Sequence, residues 1–468
     1  MSETRPNDLP TRQDSGVSQK LTLAVPPRQS DGHGCSSNRE RVTVNGYVYS
    51  YNRPTTLIVS TASNVTSPTS FTNDWQRRCS LAVRILAGFE FLLILATLRL
   101  WWGNNAFPAI PLIRCLALPI IADRVVVCIL LAACVFLVGS SGQGRWNSIV
   151  RSVGLAAALM LCITNQQRLQ AWHWLFVLGL GSSFFQPEHG LQLMRTVLAS
   201  VYVCSALSRM APTAHQGMSA AIVDQLLWMI GIKTEMTVER MGEFLCHAVN
   251  VGELAVGLLL IWPKSRRYGI LSAMLLHGTL LLALGPLGLG HHLAVLIWNV
   301  CFLCLIPVVF SGPVGIPYSV HTNQRWHYCI AMILVWLYPL SGLVGTADNW
   351  TAWQLYSTRP ESWTLRIHET DVHYLDESLR VHVSKPAPLD DWVTVKLDRW
   401  SLAETDSPLY PEDRFQCEVI RRVLSNLPAD AEFRVEISEP ERWFWWKRIH
   451  RTLKTRAELT SERSRRFW

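Results

Sequence analysis

LLHGTLLLALGPLGLGHHLAVLIWN, from Leu275 to Asn299, holds two apolar runs with no Asp, Glu, Lys or Arg, joined by a glycine-rich bend. About 20 apolar residues of helix are needed to cross a hydrocarbon core about 30 Å thick, so the stretch, with the apolar residues that continue it on both sides to about 268 and 310, reads as the middle of a hairpin of two membrane spans. GPLGLG follows no strand and lacks a dinucleotide-binding context, which leaves it as the bend between them. The same residues raise the chemical question: His277 lies inside one run, and His291 and His292 flank the bend.

The rest of the chain agrees with that reading. Of 468 residues, 49% are hydrophobic and only 17% charged, the balance of a polytopic membrane protein with soluble ends. The net charge of +8 is spread over short loops and one tail, where membrane topology and anionic lipid account for it, and no nucleic-acid-binding signature accompanies it. Cysteines such as Cys128, Cys134, Cys162 and Cys204 sit in apolar runs, where thiols pack as small hydrophobes; no disulfide framework is implied.

Nine spans are expected, near 80–102, 120–140, 148–164, 171–186, 191–209, 244–262, 268–285, 291–310 and 328–345. MSAAIVDQLLWMIGI (Met218–Ile232) is short and carries Asp224, so it is read as a re-entrant or interfacial helix. Under this count Arg77 and Arg78, Arg145 and Arg151, Arg195, Lys264 with Arg266 and Arg267, and Arg325 all fall on one side. The positive-inside bias then puts the N-terminus in the cytoplasm and everything after Gly345 outside, against Arg114, Arg168 and Arg209 on the opposite loops.

The two ends differ in kind. Residues 1–76, rich in Ser, Thr, Asn, Pro and Arg, are expected to form a mostly disordered cytoplasmic tail with strand character only at TVNGYVYSYN, and no cleaved signal peptide is read there. Residues 346–468 read as an extracytoplasmic α+β domain. WTLRIHE, LRVHVSK, WVTVKLD and FRVEIS alternate like half-buried strands, and PEDRFQCEVIRRVLSNL keeps helical spacing. The basic, aromatic end from Glu441 to Trp468 is expected to be an amphipathic helix, lying on the bilayer or on the domain itself.

Depth along each span singles out four polar residues, Glu90, Glu253, His277 and Asn299, each roughly 15 Å from the inner end of its helix. Ionisable groups there cost on the order of 2.5–3.5 kcal/mol on insertion scales and need partners. Either they make interhelical polar contacts, or a Glu253–His277 pair with Asn299 fixing the imidazole forms a proton relay or half a metal site. At the outer face Arg168, Gln170, His173, Arg209, His291 and His292 are candidates for one polar mouth suited to an anionic headgroup, a carboxylate or a quinone carbonyl, or else for loop bracing. No metal site is assigned. His291 and His292 are adjacent and point about 100° apart on a helix, no HExxH occurs, and Glu243 with His247 makes only two ligands. A haem held by His277 with His173 or His247, and a redox role for Cys301 and Cys304 inside a span, are minor alternatives.

LMRTVLASVYVCSALSRM (Leu193–Met210), an arginine-led helix ending in serine, a small residue and a cation, and the following GELAVGLLLIWPKSRRYG (Gly252–Gly269), resemble the DoxX and MauE-like membrane proteins over about 190–310. That resemblance implies thiol, quinone or respiratory redox chemistry in a bacterial inner membrane. The layout of many spans, then WTAWQLYSTRPESWTLRI and a β-rich domain, is similar to the vitamin K-dependent carboxylase-like proteins and the lipase maturation factors. Those carboxylases use a lysine base, and the spans here carry none, with only Lys233 and Lys264 near boundaries. Two functions follow as expectations: a non-catalytic accessory of a membrane redox or maturation process, or a membrane enzyme acting on a quinone or lipid-linked substrate through Glu253, His277 and Asn299. A lipid bilayer and a membrane or extracytoplasmic protein are the expected partners; the sequence names no cofactor.

Overall fold

The computed structural model describes residues 40–466 except 45–46, 53–55, 61–67, 104–105, 141–143, 211–216, 233–238, 313–321, 387 and 441–446. The chain divides into two units, Met1–Thr66 and Ser67–Trp468. In the first, β1 (Glu40–Val44), β2 (Tyr47–Asn52) and β3 (Thr56–Ser60) form an antiparallel meander. The stretch read as mostly disordered thus holds a three-stranded sheet, the second strand within the predicted strand-like segment; residues 1–39 lie outside the described residues.

The second unit begins with the membrane bundle: α1 (Pro68–Ala96), α2 (Leu98–Trp102), α3 (Ile120–Gly139), α4 (Arg145–Thr164), α5 (Ala171–Ser182), α6 (Pro187–Ser208), α7 (Met218–Met229), α8 (Glu239–Ile261), α9 (Arg266–Leu284), α10 (Leu293–Phe310) and α11 (Thr322–Ser341). Among the described residues eight of these, α1, α3, α4, α6 and α8 to α11, are long and apolar enough to cross a membrane. α6 is the axis, packed by α1, α5, α8 and α11, with 89% of its span buried against 11% for α11. Its close partner is α8: a Cβ on Gly257 would stand 2.8 Å from Val203 Cγ2, so only glycine lets the two backbones approach this near.

The expected span at 171–186 is a departure. α5 has 12 residues, about 18 Å of helix, too short for a bilayer. It nevertheless joins the two ends of the bundle. Before its first turn Gln170 donates to Ser407 Oγ of the C-terminal domain at 2.7 Å, and beyond its last turn the Ser183 carbonyl accepts from Arg151 Nη1 at 2.8 Å, near the start of α4. Hydropathy windows assume lipid on the outside, whereas nine of the α5 residues are buried in protein, which satisfies the backbone at its ends.

The far end of the bundle gathers basic side chains. Arg78 and Arg195 donate to the Val308 and Val309 carbonyls in the last turn of α10, where carbonyls lack intrahelical partners and the helix dipole favours cations. At the opposite end sits the C-terminal domain: β4 (Ser362–His368), α12 (Glu377–Arg380), β5 (Trp392–Val395), α13 (Leu397–Thr405), α14 (Asp413–Leu424), β6 (Phe433–Pro440), β7 (Arg448–Leu453) and α15 (Arg456–Arg466). Its antiparallel sheet has the order β5-β4-β6-β7. Three of the four expected strands are present; LRVHVSK instead closes α12 and contributes a single bridge, Val383 to Val395.

The basic tail also differs from the single helix expected. It pairs as edge strand β7 along β6, then turns into α15, which lies on α14 with Leu459 buried. Arg456 donates to the Leu424, Leu427 and Pro428 carbonyls at 2.8, 3.1 and 2.7 Å, capping the C-terminal end of α14. The helical part of the tail therefore rests on the domain.

Domain and bundle share one core. Phe107 and Ile110, from the stretch after α2, are buried among the domain's side chains, with the Phe107 ring edge-on to Trp400 at 4.8 Å.

Candidate functional site

The midplane residues are brought into three separate groups. Glu90 on α1 meets His173 on α5, Oε1 to Nδ1 at 2.5 Å, both essentially inaccessible; the other ring nitrogen donates to the Ala158 carbonyl at 3.2 Å. Whether as imidazolium and carboxylate or as a neutral pair sharing one proton, the group carries no net charge, and Glu90 Oε2 has no partner.

His277 on α9 is held on both sides. Asn299 Nδ2 donates to the Val295 carbonyl at 2.8 Å, which turns Oδ1 toward the imidazole, where it accepts from His277 Nδ1 at 2.8 Å. Nε2 is then the acceptor, and the Tyr202 hydroxyl of α6 donates to it at 2.6 Å. Asn299 does fix the imidazole, as the sequence suggested. Glu253 does not pair with it: this carboxylate forms an ion pair with Arg209, whose guanidinium also reaches Ser205 Oγ at 3.0 Å. Tyr202 is the residue sequence reasoning missed; a tyrosine in an apolar span, whose hydroxyl needs a partner, was the available signal.

The six outer-face candidates are likewise held by different partners and do not form the one mouth expected. Arg168, 3% exposed, forks onto Asp123 in the first turn of α3, at 2.7 and 2.6 Å. Gln170 bridges the Gln167 carbonyl and Ser407 Oγ, both at 2.7 Å, and Gln167 Nε2 donates to Ser401 and Thr405. His173 and Arg209 belong to the carboxyl pairs with Glu90 and Glu253 above. His292 caps α10, its Nδ1 accepting from the Ala294 amide at 3.3 Å, while His291 packs edge-on near Tyr356. Asp123 was legible as an acid opening an apolar run, but its partner was not.

Among the described residues no group of three or more His, Cys, Asp or Glu is placed to hold a metal. His277 and His173 each have their own partners and do not face one another, and Cys301 is buried while Cys304 is exposed on the outside of α10.

What stays open is a cavity of about 400 Å³ at the junction of bundle and domain. Phe107, Ile110, Leu118 and Ile120 give it apolar walls, and Arg168, Arg422 and Arg463 bring cations to it. Arg168 is matched by Asp123, while among the described residues the one carboxylate Glu418 is shared by Arg421, Arg422 and Arg463. Burial pushes the Glu418 carboxyl up, and the Arg421 hydrogen bond with the surrounding guanidinium charges outweighs it, so its pKa lies below the ordinary value. The site thus keeps an excess of positive charge. Its rim runs onto Ile120 and Ile121, 54% and 78% exposed at the start of the apolar helix α3. No protein-family model, curated protein or solved structure matches this chain.

Proposed function

We propose that the protein is a non-catalytic membrane accessory that holds an anionic amphiphile, a lipid or lipid-linked anion, at the junction of its bundle and domain and presents it to a partner in a redox or maturation process. The observation that carries this reading is the junction cavity, with surplus guanidinium charge on one wall and apolar side chains leading to the lipid-facing start of α3 on the other. His277, with both ring nitrogens engaged by Tyr202 and Asn299, supports an accessory over an enzyme. The enzyme alternative rested on Glu253 serving His277, and Glu253 is engaged by Arg209.

In this reading the chain passes between the two ends of the bundle nine times, α5 being the short passage. The end rich in Arg78, Arg151, Arg195 and Arg266 faces the cytoplasm, and the domain lies outside in a bacterial inner membrane. The test is mass spectrometry of lipids retained by the protein purified in mild detergent, wild type against Arg422→Gln/Arg463→Gln. One anionic lipid per chain, lost in the double variant, is expected. Wild-type protein with no anionic lipid, or equal retention by the variant, overturns the proposal.

A further inference from the structure

A second cavity, of about 290 Å³, lies at the end of the bundle remote from the domain, between α1 and the ends of α3, α4, α5 and α6. Two guanidiniums, Arg84 and Arg151, line it, and no carboxyl group does. Arg84 donates to the Ser140 carbonyl at the end of α3, and Arg151 Nη1 to the Ser183 carbonyl at the end of α5 at 2.8 Å. Carbonyls are neutral, so neither bond cancels a charge. Those two helix C-termini meet the N-termini of α4 and α6, neither of which has a side-chain cap, so the helix dipoles offset one another and the two guanidinium charges remain. Glu188, adjoining Pro187 in the first turn of α6, neither lines the cavity nor pairs with either guanidinium among the described residues, and Asp74 is taken by Arg78. Donors are left over as well. Arg84 Nε is buried with no acceptor, and the lining hydroxyls of Ser80 and Ser148 donate to nothing among the described residues, Ser148 Oγ only accepting from Arg151 Nη2 at 3.3 Å. Asn147, 3% exposed, fixes the wall between α3 and α4 through Nδ2, which donates to Ser140 Oγ at 2.9 Å.

We propose that this cavity binds a phosphomonoester, soluble or as a lipid headgroup. Two guanidiniums with no carboxylate between them match the roughly two negative charges that a monoester carries at pH 7, where a phosphodiester carries one. The terminal phosphate oxygens accept from the Arg84 and Arg151 N–H groups that the carbonyls leave over, from the Ser80 and Ser148 hydroxyls, and from the uncapped first turns of α4 and α6. Arg84 Nε thereby gains the acceptor it lacks. Val83, Leu137 and Phe184 supply the apolar part of the lining, against which the ester's carbon chain packs. The site shares no residue with the junction cavity, so either proposal stands or falls without the other.

Isothermal titration of the full-length protein in detergent tests it, with inorganic phosphate and glycerol 3-phosphate as soluble probes, short-chain phosphatidate as the lipid source, and dimethyl phosphate as the diester control. Each is run on wild type and on Arg422→Gln/Arg463→Gln, which removes charge from the junction cavity and leaves this one intact. One soluble phosphate or one phosphatidate per chain is expected to bind in both backgrounds, the tighter of the two naming the source, and dimethyl phosphate should bind about tenfold less well. Arg84→Gln should weaken binding about tenfold or more. Ser80→Leu removes no hydrogen bond found among the described residues and fills the cavity with carbon, so it should weaken binding comparably and decides the matter should Arg84→Gln fail to fold. Absence of binding to wild type, binding lost in the junction double variant, equal affinity for the diester, or equal binding by the folded cavity variants would each overturn the proposal.

Discussion

An imidazole between a phenol and a carboxamide, with a phenyl ring stacked on it, is a complete hydrogen-bonding unit: His277 has Tyr202, Asn299 and the Phe302 ring at 4.7 Å. Tyr202→Phe keeps the packing and orphans His277 Nε2, which should cost about 1–3 kcal/mol of stability. Denaturant unfolding of the detergent-solubilised protein measures this, and no loss would show that the hydroxyl contributes nothing. The sequence could place His277 and Asn299 together because they lie at matching depths on a hairpin. It could not pair Glu253 with Arg209, since depth says nothing about which face of a helix a residue occupies, and the long arginine stem carries its charge inward from the helix end. For the same reason Glu90 was assigned to the midplane and His173 to the outer mouth, although the two touch.

At the scale of elements, the N-terminus of α14 has an unusual electrostatic history. Its cap residue is Glu412, and a carboxylate there would ordinarily be favoured by the helix dipole. Burial, and then the charge of Asp348, push its pKa up to about 8; the Asn349 hydrogen bonds and the Arg414 charge only partly oppose this, and the Tyr410 hydroxyl donates to the same Asp348 at 2.7 Å. Because the folded state holds this proton more tightly than the unfolded chain, the contribution is full below pH 4.5. It falls by up to about 1.4 kcal/mol per pH unit as the pH rises towards 8. Glu412→Gln should flatten that slope and leave the protein more stable than wild type at pH 8, as read from thermal unfolding across the range. Wild-type stability that does not fall between pH 5 and 8 would contradict it. Element identity was largely visible in sequence, because apolar length and alternation are local signals. The exceptions were elements whose surroundings decide their form. α5 is short because protein replaces lipid around it, LRVHVSK alternates but follows a helical turn instead of a sheet partner, and the tail is divided between a strand edge and the back of α14.

For the whole molecule, the decisive feature is the common core of bundle and domain, centred on Phe107, Ile110, Trp400 and Phe415. Composition changes after Gly345 and so suggests a separable domain, but contacts made by a loop near residue 107 cannot be read from that boundary. Phe107→Ala should cost about 3–5 kcal/mol and split thermal unfolding into two transitions, seen by calorimetry, as the domain comes away first. A single undiminished transition would show that polar contacts at Gln167 and Gln170 suffice. The shared core also imposes an order in time. Phe107 is synthesised roughly 290 residues before Trp400, and at 5–20 residues per second the ribosome needs roughly 15–60 s to supply its cover. For that interval the growing chain carries a sticky, half-built surface at the membrane edge, exposed to proteases and to other nascent chains. Its yield in cells is therefore set as much by who guards that surface, and by how fast the message is read, as by the stability of the finished fold.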